Sequence, residues 1–247
     1  MKTYGLVGKK LAHSFSPAYF EKKFKDLGVE AKYLLFEIDD VYEVKEIIRS
    51  NPGLAGLNVT IPYKEDIFAP SDEIDSVARA VGAANTLKIT REGVKPLIRA
   101  YNTDVIGFEK TLLPLIEGRN NLSALVLGTG GAAKAVVYVL NKLNIPYKYV
   151  SRTPDENRLD YADLSKELIS QHHLIINTTP VGLHPRVDQA PEIPYQHLTS
   201  DHILYDLIYN PAETLFLKKG REKGCVTTNG LRMLELQADA SWKIWKD

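Results

Sequence analysis

Short apolar runs alternate with segments of helical periodicity along nearly the whole chain of 247 residues. Strands that alternate with helices in this way are typical of α/β proteins, in which helices cover a largely parallel sheet. The pattern predicts strands at residues 4–7, 33–38, 57–60, 122–127, 147–150, 174–177, 203–205 and 225–227, and a hairpin at 86–89 and 94–98. It predicts helices at 17–27, 41–49, 74–80, 105–116, 132–143, 214–223 and 231–245.

The composition is that of an ordinary globular protein, with 44% hydrophobic and 25% charged residues. The formal net charge is zero, which gives no sign of a nucleic-acid or anionic membrane partner. No apolar run reaches the roughly 18 residues that a membrane span requires, and the first residues lack the features of a signal peptide. The single cysteine, Cys225, cannot form an internal disulfide, so we expect a cytoplasmic protein.

A glycine-rich turn, Gly128-Thr129-Gly130-Gly131-Ala132-Ala133, follows the predicted strand at 122–127 and opens the next helix. Gly128, Gly130 and Ala133 match the G-x-G-x-x-G/A pattern, in which glycines allow a tight turn and let the backbone approach a pyrophosphate. The helix start adds free N–H groups and a partial positive charge. A turn without a ligand is the alternative, but the strand and helix on either side favour dinucleotide binding.

The strand at 147–150 ends in Ser151-Arg152-Thr153. A site for NAD usually has an acidic residue at this point, which binds the 2′-hydroxyl of the ribose. A guanidinium and two hydroxyls instead suit a 2′-phosphate. We therefore expect NADP(H) as the cofactor, the alternative being that Arg152 is a solvated surface arginine.

Polar residues cluster in two further stretches, at 58–64 and 101–104. Together they supply a lysine, a carboxylate, amides and hydroxyls, which suit binding a small polyhydroxylated molecule and moving one of its protons. Lys64 is predicted at the start of a short helix. Taken singly, each residue has a plain structural explanation, such as a surface lysine, a helix cap or a turn amide. The candidates are Asn58, Thr60, Lys64, Asn85 and Asp104.

Other candidates lie near the two ends of the chain. Ser14 and Ser16 can converge on one carboxylate, although Ser16 can equally be the N-cap of a helix that begins at Pro17. Tyr209 offers a phenol, and Gln237 is either a ligand-binding amide or a solvated helix position. The adjacent pair His172 and His173 is interpreted as a surface feature, and we expect no metal.

The chain resembles the shikimate dehydrogenase family over nearly its whole length. The resemblance is carried by the motifs already quoted, in the order typical of the family. To these it adds Ser14-Phe15-Ser16-Pro17, Gly82-Ala83-Ala84-Asn85-Thr86, Asn177-Thr178-Thr179-Pro180-Val181-Gly182, Tyr209-Asn210-Pro211 and the helix from Gly230 to Gln237.

This resemblance implies the reversible NADPH-dependent reduction of 3-dehydroshikimate to shikimate, in aromatic amino-acid biosynthesis. It implies an α/β substrate domain, residues 1–104 completed by 230–247, and a Rossmann-like NADP-binding domain, residues 105–229. Lys64 and Asp104 would be catalytic. The substrate would be bound by Ser14, Ser16, Asn58, Thr60, Asn85, Tyr209 and Gln237. The cofactor would be bound by Gly128, Thr129, Gly130, Gly131, Ala132, Ala133, Ser151, Arg152, Thr153, Thr178 and Gly230.

Three positions depart from the usual family pattern. Ser151 stands where asparagine is usual, Thr129 where alanine is common, and Arg232 where a smaller or apolar residue is more usual. Two alternative functions stay open, a dual quinate/shikimate dehydrogenase and a catalytically silent NADP-binding regulator. We expect a monomer or a homodimer.

Overall fold

The computed structural model describes residues 1–12, 14–91, 93 and 95–247 and divides into two compact units. The first unit combines Met1–Ile106 with Glu235–Asp247, and the second is Gly107–Leu234. The predicted functional domains, 1–104 with 230–247 and 105–229, stay a prediction. Among the residues that the structure describes, no helix combines the length and apolar character needed to cross a membrane.

The first unit is built on a six-stranded mixed sheet in the order β2-β1-β3-β5-β6-β4. Strand β1 is parallel to both of its neighbours, whereas β5 is antiparallel to β3 and β6. Helices α1 to α3, the start of α4 and the end of α8 belong to the same unit. The bounds are β1 Lys2–Gly8, α1 Ser16–Asp26, β2 Ala31–Glu37, α2 Glu43–Ser50, β3 Leu54–Val59, β4 Glu73–Ile74, α3 Ser76–Val81, β5 Thr86–Thr90, β6 Leu97–Tyr101, α4 Asp104–Ile116 and α8 Leu231–Lys246.

An aromatic cluster anchors the C-terminal helix α8 to the first sheet. The Trp245 ring stacks on Tyr4 with centroids 4.9 Å apart and lies 5.3 Å from Phe20. Its Nε1–H donates to the Leu87 carbonyl at 2.9 Å. Gly56 lies directly beneath the indole, where a Cβ atom would collide with it. Because β1 is buried along most of its length, this helix completes the core on one face of the sheet.

The second unit holds a fully parallel sheet in the order β12-β11-β10-β7-β8-β9. Numbered within the unit, this is the 3-2-1-4-5-6 order of dinucleotide-binding folds. Strands β7, β10 and β11 are buried at every residue, as expected for a sheet covered on both faces. The bounds are β7 Ala124–Leu127, α5 Gly131–Lys142, β8 Tyr147–Val150, β9 Arg158–Leu159, α6 Lys166–Gln171, β10 Leu174–Asn177, β11 Ile203–Asp206, α7 Leu215–Arg221 and β12 Val226–Thr228.

The structure corrects two local predictions near the site. Helix α1 begins at Ser16 itself, and Phe15 occupies the capping position without a side-chain cap. The serine that accepts a backbone bond is Ser14, whose Oγ lies 3.3 Å from the Ser16 nitrogen. Lys64 is in a turn and not at the start of an α-helix, because only the three residues Asp66–Phe68 after it form a 3₁₀ helix.

The surface interpretation of His172 is also wrong. This side chain is buried, and its Nδ1 lies 2.7 Å from the Leu168 carbonyl oxygen. Burial lowers the pKa of its imidazole. In the predicted hairpin, strands β5 and β6 are antiparallel, while Glu92 and Val94 of its turn region lie outside the described residues.

Candidate active site

Lys64 and Asp104 form a largely buried ion pair. Lys64 lies in the turn after β3, and its Nζ is 2.6 Å from Asp104 Oδ2 at the start of α4. Their side chains are 16% and 7% exposed. The Ala84 N–H donates to the Lys64 carbonyl at 2.7 Å and so holds the turn against the neighbouring segment. A carboxylate buried to this degree needs a cation and hydrogen-bond donors, and the fold supplies both.

Asn85 supplies a second hydrogen-bond donor to Asp104, beside Lys64. Its Nδ2 donates to Asp104 Oδ1 at 2.9 Å and to Gln237 Oε1 at 3.1 Å. Its Oδ1 accepts the backbone N–H of Thr103 at 2.7 Å. Both oxygens of Asp104 are therefore bonded, one to Lys64 and the other to Asn85. Gln237 joins the same group from the C-terminal helix.

A layer of buried hydroxyl groups supports these side chains. Ser241 lies at the centre, with Oγ 2.8 Å from Thr86 Oγ1, 3.2 Å from Thr103 Oγ1 and 2.9 Å from the Asn58 amide nitrogen that donates to it. Its own O–H donates to the Gln237 carbonyl at 2.9 Å. Sequence reasoning missed Thr86, Thr103 and Ser241 as functional residues. The placement of Ser241 one helical turn after Gln237 is the signal that points to it.

The N-terminal serines connect to this network through Tyr33. The Tyr33 hydroxyl donates to Asn58 Oδ1 at 2.8 Å. Burial raises the pKa of Tyr33, while a hydrogen bond with Ser16 opposes that shift. Thr60, the residue after β3, is fixed by its backbone N–H, which donates to the Val7 carbonyl at 3.0 Å. Of the predicted substrate residues, the structure thus places Asn58, Asn85 and Gln237 in one hydrogen-bonded network with Lys64 and Asp104. Ser16 joins it through Tyr33. Tyr209 lies in the second unit.

The glycine turn of the second unit has the geometry of a pyrophosphate-binding loop. Gly128 has φ 101°, which favours glycine, and a Cβ there would lie 2.8 Å from Thr178 Oγ1. Gly130 precedes α5, and a Cβ there would meet nothing within 4 Å. The space above Gly130 and the free N–H groups at the start of α5 fit a dinucleotide phosphate.

The other predicted cofactor residues surround this turn or follow neighbouring strands. Gly131 and Ala132 begin α5 half-buried, Ala133 is fully buried, and Thr129 is half-buried. Thr178 follows β10 beside the end of β7, where the strand order reverses and ligands of such folds bind. Thr178 Oγ1 donates to the Leu127 carbonyl at 2.6 Å.

The turn after β8 presents Arg152 and Thr153 to solvent. Ser151 is buried beneath them, and its Oγ accepts the Thr153 N–H at 3.2 Å. This exposed guanidinium fits a cofactor phosphate. Packing requires glycine at position 230, because a Cβ there would collide with the Leu207 carbonyl; its contact with the cofactor stays a prediction.

The sheet order of the second unit and the glycine turn at its switch point define the class, a dinucleotide-binding α/β protein. The profile of the shikimate dehydrogenase substrate binding domain matches residues 6–87. The NADP(+) shikimate dehydrogenase of Methanococcus aeolicus is 37% identical, over 99% of this chain and 91% of its own length.

Solved structures extend the likeness to three dimensions. A chorismate mutase/shikimate 5-dehydrogenase fusion protein from Clostridium acetobutylicum is 39% identical, with a TM-score of 0.87 over 100% of this chain and 92% of that one. The shikimate 5-dehydrogenase of Thermus thermophilus, in complex with NADP(H) and shikimate, is 29% identical, with a TM-score of 0.84 over 99% and 93%. The chain belongs to the shikimate dehydrogenase family.

Proposed function

We propose that this chain catalyses the reversible NADPH-dependent reduction of 3-dehydroshikimate to shikimate, a step of aromatic amino-acid biosynthesis. The observation that carries the proposal is the buried Lys64–Asp104 pair, with Nζ 2.6 Å from Oδ2, in a chain that belongs to this family. The proposal includes a cytoplasmic enzyme that acts as a monomer or a homodimer.

NADPH, when bound, supplies the hydride for the reduction. The turn from Gly128 to Ala133 holds its pyrophosphate through backbone N–H groups. Arg152 pairs with the 2′-phosphate, while Ser151 and Thr153 shape the same turn. Thr178 and Gly230 complete the set of proposed cofactor residues.

The Lys64–Asp104 pair exchanges the proton that the reduction requires at the carbonyl oxygen. An ammonium group beside that oxygen also stabilises the negative charge that develops on it. Asp104 keeps Lys64 oriented, because Asn85 holds the other carboxylate oxygen at 2.9 Å. The pair therefore enters the reaction with fixed geometry, which is what a proton-transfer site needs.

The remaining polar side chains bind the substrate. Ser14, Ser16 and Tyr209 bind its carboxylate, and Thr60, Asn85 and Gln237 bind its ring hydroxyls. Asn58 is assigned to the same group, although its amide already donates to Ser241 and accepts from Tyr33. Asn58 therefore has less bonding capacity left for a ligand than Gln237.

The activity is tested by the absorbance at 340 nm with shikimate or quinate as substrate, each with NADP⁺ or NAD⁺. Rapid turnover only with shikimate and NADP⁺ supports the proposal in full. Turnover with quinate would make the chain a dual-specificity enzyme, and turnover with NAD⁺ would overturn the role given to Arg152. Folded protein that binds NADPH and turns over neither substrate would be a silent cofactor-binding protein.

The role of Lys64 is tested by Lys64→Ala. We expect kcat to fall by about 10²–10⁴, because the ammonium that moves the proton is gone, while the Kd for NADP⁺ stays within about twofold. Lys88→Ala is the control, since Lys88 is a half-buried lysine of the same unit in strand β5. A comparable loss of rate and of NADP⁺ affinity in Lys64→Ala would contradict a catalytic role.

A further inference from the structure

Asp206 is a fully buried carboxylate that the proposed reaction does not use. It ends strand β11 and is 0% exposed. Oδ1 accepts the Asn177 side-chain amide and the Ile208 N–H, both at 3.0 Å. Oδ2 accepts the Thr214 hydroxyl at 2.6 Å. These donors lie at the end of β10, in the loop after β11 and at the N-cap of α7, so one carboxylate joins three segments of the second unit.

The first of these segments carries Thr178. Asn177 donates to Asp206 through Nδ2, and its Oδ1 accepts from Thr179 N at 3.0 Å and from Thr179 Oγ1 at 2.7 Å. This arrangement fixes the turn on both sides of Thr178. Thr178 in turn donates to the Leu127 carbonyl, immediately before the glycine turn. Asp206 is therefore linked to the proposed cofactor site through these hydrogen bonds and the backbone of residues 177–179.

The second segment carries Tyr209. The Ile208 N–H donates to Asp206, and the Ile208 carbonyl accepts the Gly230 N–H at 3.0 Å. The Leu207 N–H donates to the Asn177 carbonyl at 3.0 Å. The loop between β11 and Tyr209 is thus bonded to Asp206, to the end of β10 and to the residue that precedes α8.

We propose that Asp206 is a positioning residue whose negative charge holds the Thr178 turn in the conformation that binds NADP(H) and the Tyr209 loop in the conformation that binds the substrate. The charge matters because all three partners of Asp206 donate hydrogen bonds. A protonated carboxyl group would direct its own O–H at one of these donors and lose that bond. This inference rests on the proposed function for the identity of the ligand.

Asp206 changes its charge within the pH range in which binding can be measured. Burial raises the pKa of Asp206 to about 6, against the opposing effect of the bonds from Thr214, Ile208 and Asn177. The charge of Asp206 also reaches the phenol of Tyr195. Burial and that charge both raise the pKa of Tyr195, so its phenol stays neutral. Lys219 lies 4.6 Å from the centroid of the same ring.

The test is calorimetric titration of the full chain with NADP⁺ at pH 7.5 and pH 5.5. If only ionised Asp206 supports binding, a pKa of about 6 predicts that the Kd rises about fourfold at the lower pH. The 2′-phosphate of NADP⁺ also titrates in this range and adds its own change in Kd, which is the same for every variant. Asp206→Asn removes the ionisable carboxylate. We expect its Kd at pH 7.5 to be at least about tenfold higher, and we expect the fourfold change between the two pH values to be lost.

The matched control is Asp201→Asn, because Asp201 is an exposed carboxylate just before β11. It should keep the affinity and pH profile of the unmodified chain. An unchanged Kd in Asp206→Asn would overturn the proposal. A raised Kd with the full fourfold component retained would also overturn it, because the charge would then not be what holds the loops.

Thr214→Val provides a test if Asp206→Asn does not fold. Loss of the Thr214 hydroxyl removes a bond to the ionised form, so the midpoint of the NADP⁺ pH profile should move upward, and Thr214→Ser should restore it. An unmoved midpoint in Thr214→Val would count against the proposal.

Amide hydrogen exchange without ligand separates this inference from the proposed function. In Asp206→Asn we expect faster exchange at Thr179 and Ile208, with strands β10 and β11 unchanged; equal exchange would overturn the positioning role. If the unmodified chain does not turn over shikimate but the exchange and binding changes are present in Asp206→Asn, only the proposed function would be overturned.

Discussion

Asn85 is hydrogen-bonded at both ends of its amide, and this decides which end faces Asp104. Its oxygen accepts the Thr103 backbone N–H at 2.7 Å, a group that can only donate. Its nitrogen must therefore face Asp104 and Gln237. An aspartate at position 85 would place a second negative charge beside Asp104, which is unfavourable in a buried site. The backbone of one segment thus sets the polarity of the proposed substrate site.

The two glycines of the nucleotide loop should respond differently to alanine. Gly128 has φ 101°, and Gly128→Ala would place a Cβ against Thr178. We therefore expect the free energy of unfolding to fall by about 1–3 kcal/mol. Gly130→Ala meets no protein atom within 4 Å and should change stability by less than about 0.5 kcal/mol.

Gly130→Ala should nevertheless weaken NADP⁺ binding, because the added methyl group stands where the backbone approaches the pyrophosphate. Thermal unfolding and calorimetric titration of both variants measure the two effects. Equal affinity in Gly130→Ala and the unmodified chain would show that the cofactor does not approach this glycine.

The proposed catalytic residues could be found from the sequence because they lie in compact motifs, whereas their support could not. Lys64 is six residues from Asn58, and the pattern of types around it is distinctive. Ser241 is 183 residues from Asn58 and 155 from Thr86 in sequence, and serine in a helix is not unusual. Only the fold brings such distant hydroxyls together. Ser16 was misplaced by one position for a local reason, since its backbone is already helical and Ser14 accepts its N–H.

At the scale of elements, helix α8 contributes its apolar face and its polar residues to the first unit at once. Ala238, Trp242 and Trp245 are buried, while Gln237 and Ser241 reach the hydroxyl network. A helix that served only as packing would not need the two polar residues on its buried side. The same element therefore anchors the core and presents a proposed substrate residue.

Trp245→Ala should destabilise the first unit strongly. The variant loses the stacking on Tyr4 and Phe20 and the bond to the Leu87 carbonyl, and it leaves a large cavity over Gly56. We expect a loss of about 3–5 kcal/mol in the free energy of unfolding, measured by urea denaturation. Lys246→Ala, one exposed position further on, is the control. A loss below about 1 kcal/mol would mean that the neighbouring rings close the cavity.

Most strands and helices were predictable from their apolar patterns, whereas the two-residue strands and one short helix were not. The strands at 147–150 and 174–177 were predicted with the bounds that the structure has. The two-residue strands β4 and β9 and the six-residue helix α6 were missed. A strand of two residues is too short to show a hydrophobic period. Strand β9 forms because it pairs with β8 at the edge of the second sheet. For α6 the usable signal was Ser165, whose Oγ accepts the Leu168 N–H at 3.2 Å.

For the whole molecule, the discontinuous first unit makes a prediction about truncation. Removal of residues 235–247 takes away Gln237, Ser241, Trp242 and Trp245, and with them one face of the first core. Amide hydrogen exchange should show loss of protection across strands β1 to β3, while the second unit keeps its protection in β7, β10 and β11. A chain shortened by Asp247 alone, which is exposed, is the control. Retained protection in β1 would show that the first unit does not need the C-terminal helix.

The return of the C-terminus to the first unit has a consequence for the order of events during synthesis. Tyr4 and Phe20 leave the ribosome more than 200 residues before Trp245. At ordinary translation rates the aromatic side chains of the first sheet then stay without helix α8 for on the order of ten seconds. All residues of the second unit emerge within that interval, so the second unit can complete its fold before the first unit does. The first unit is therefore the part of the newborn chain that most needs a chaperone.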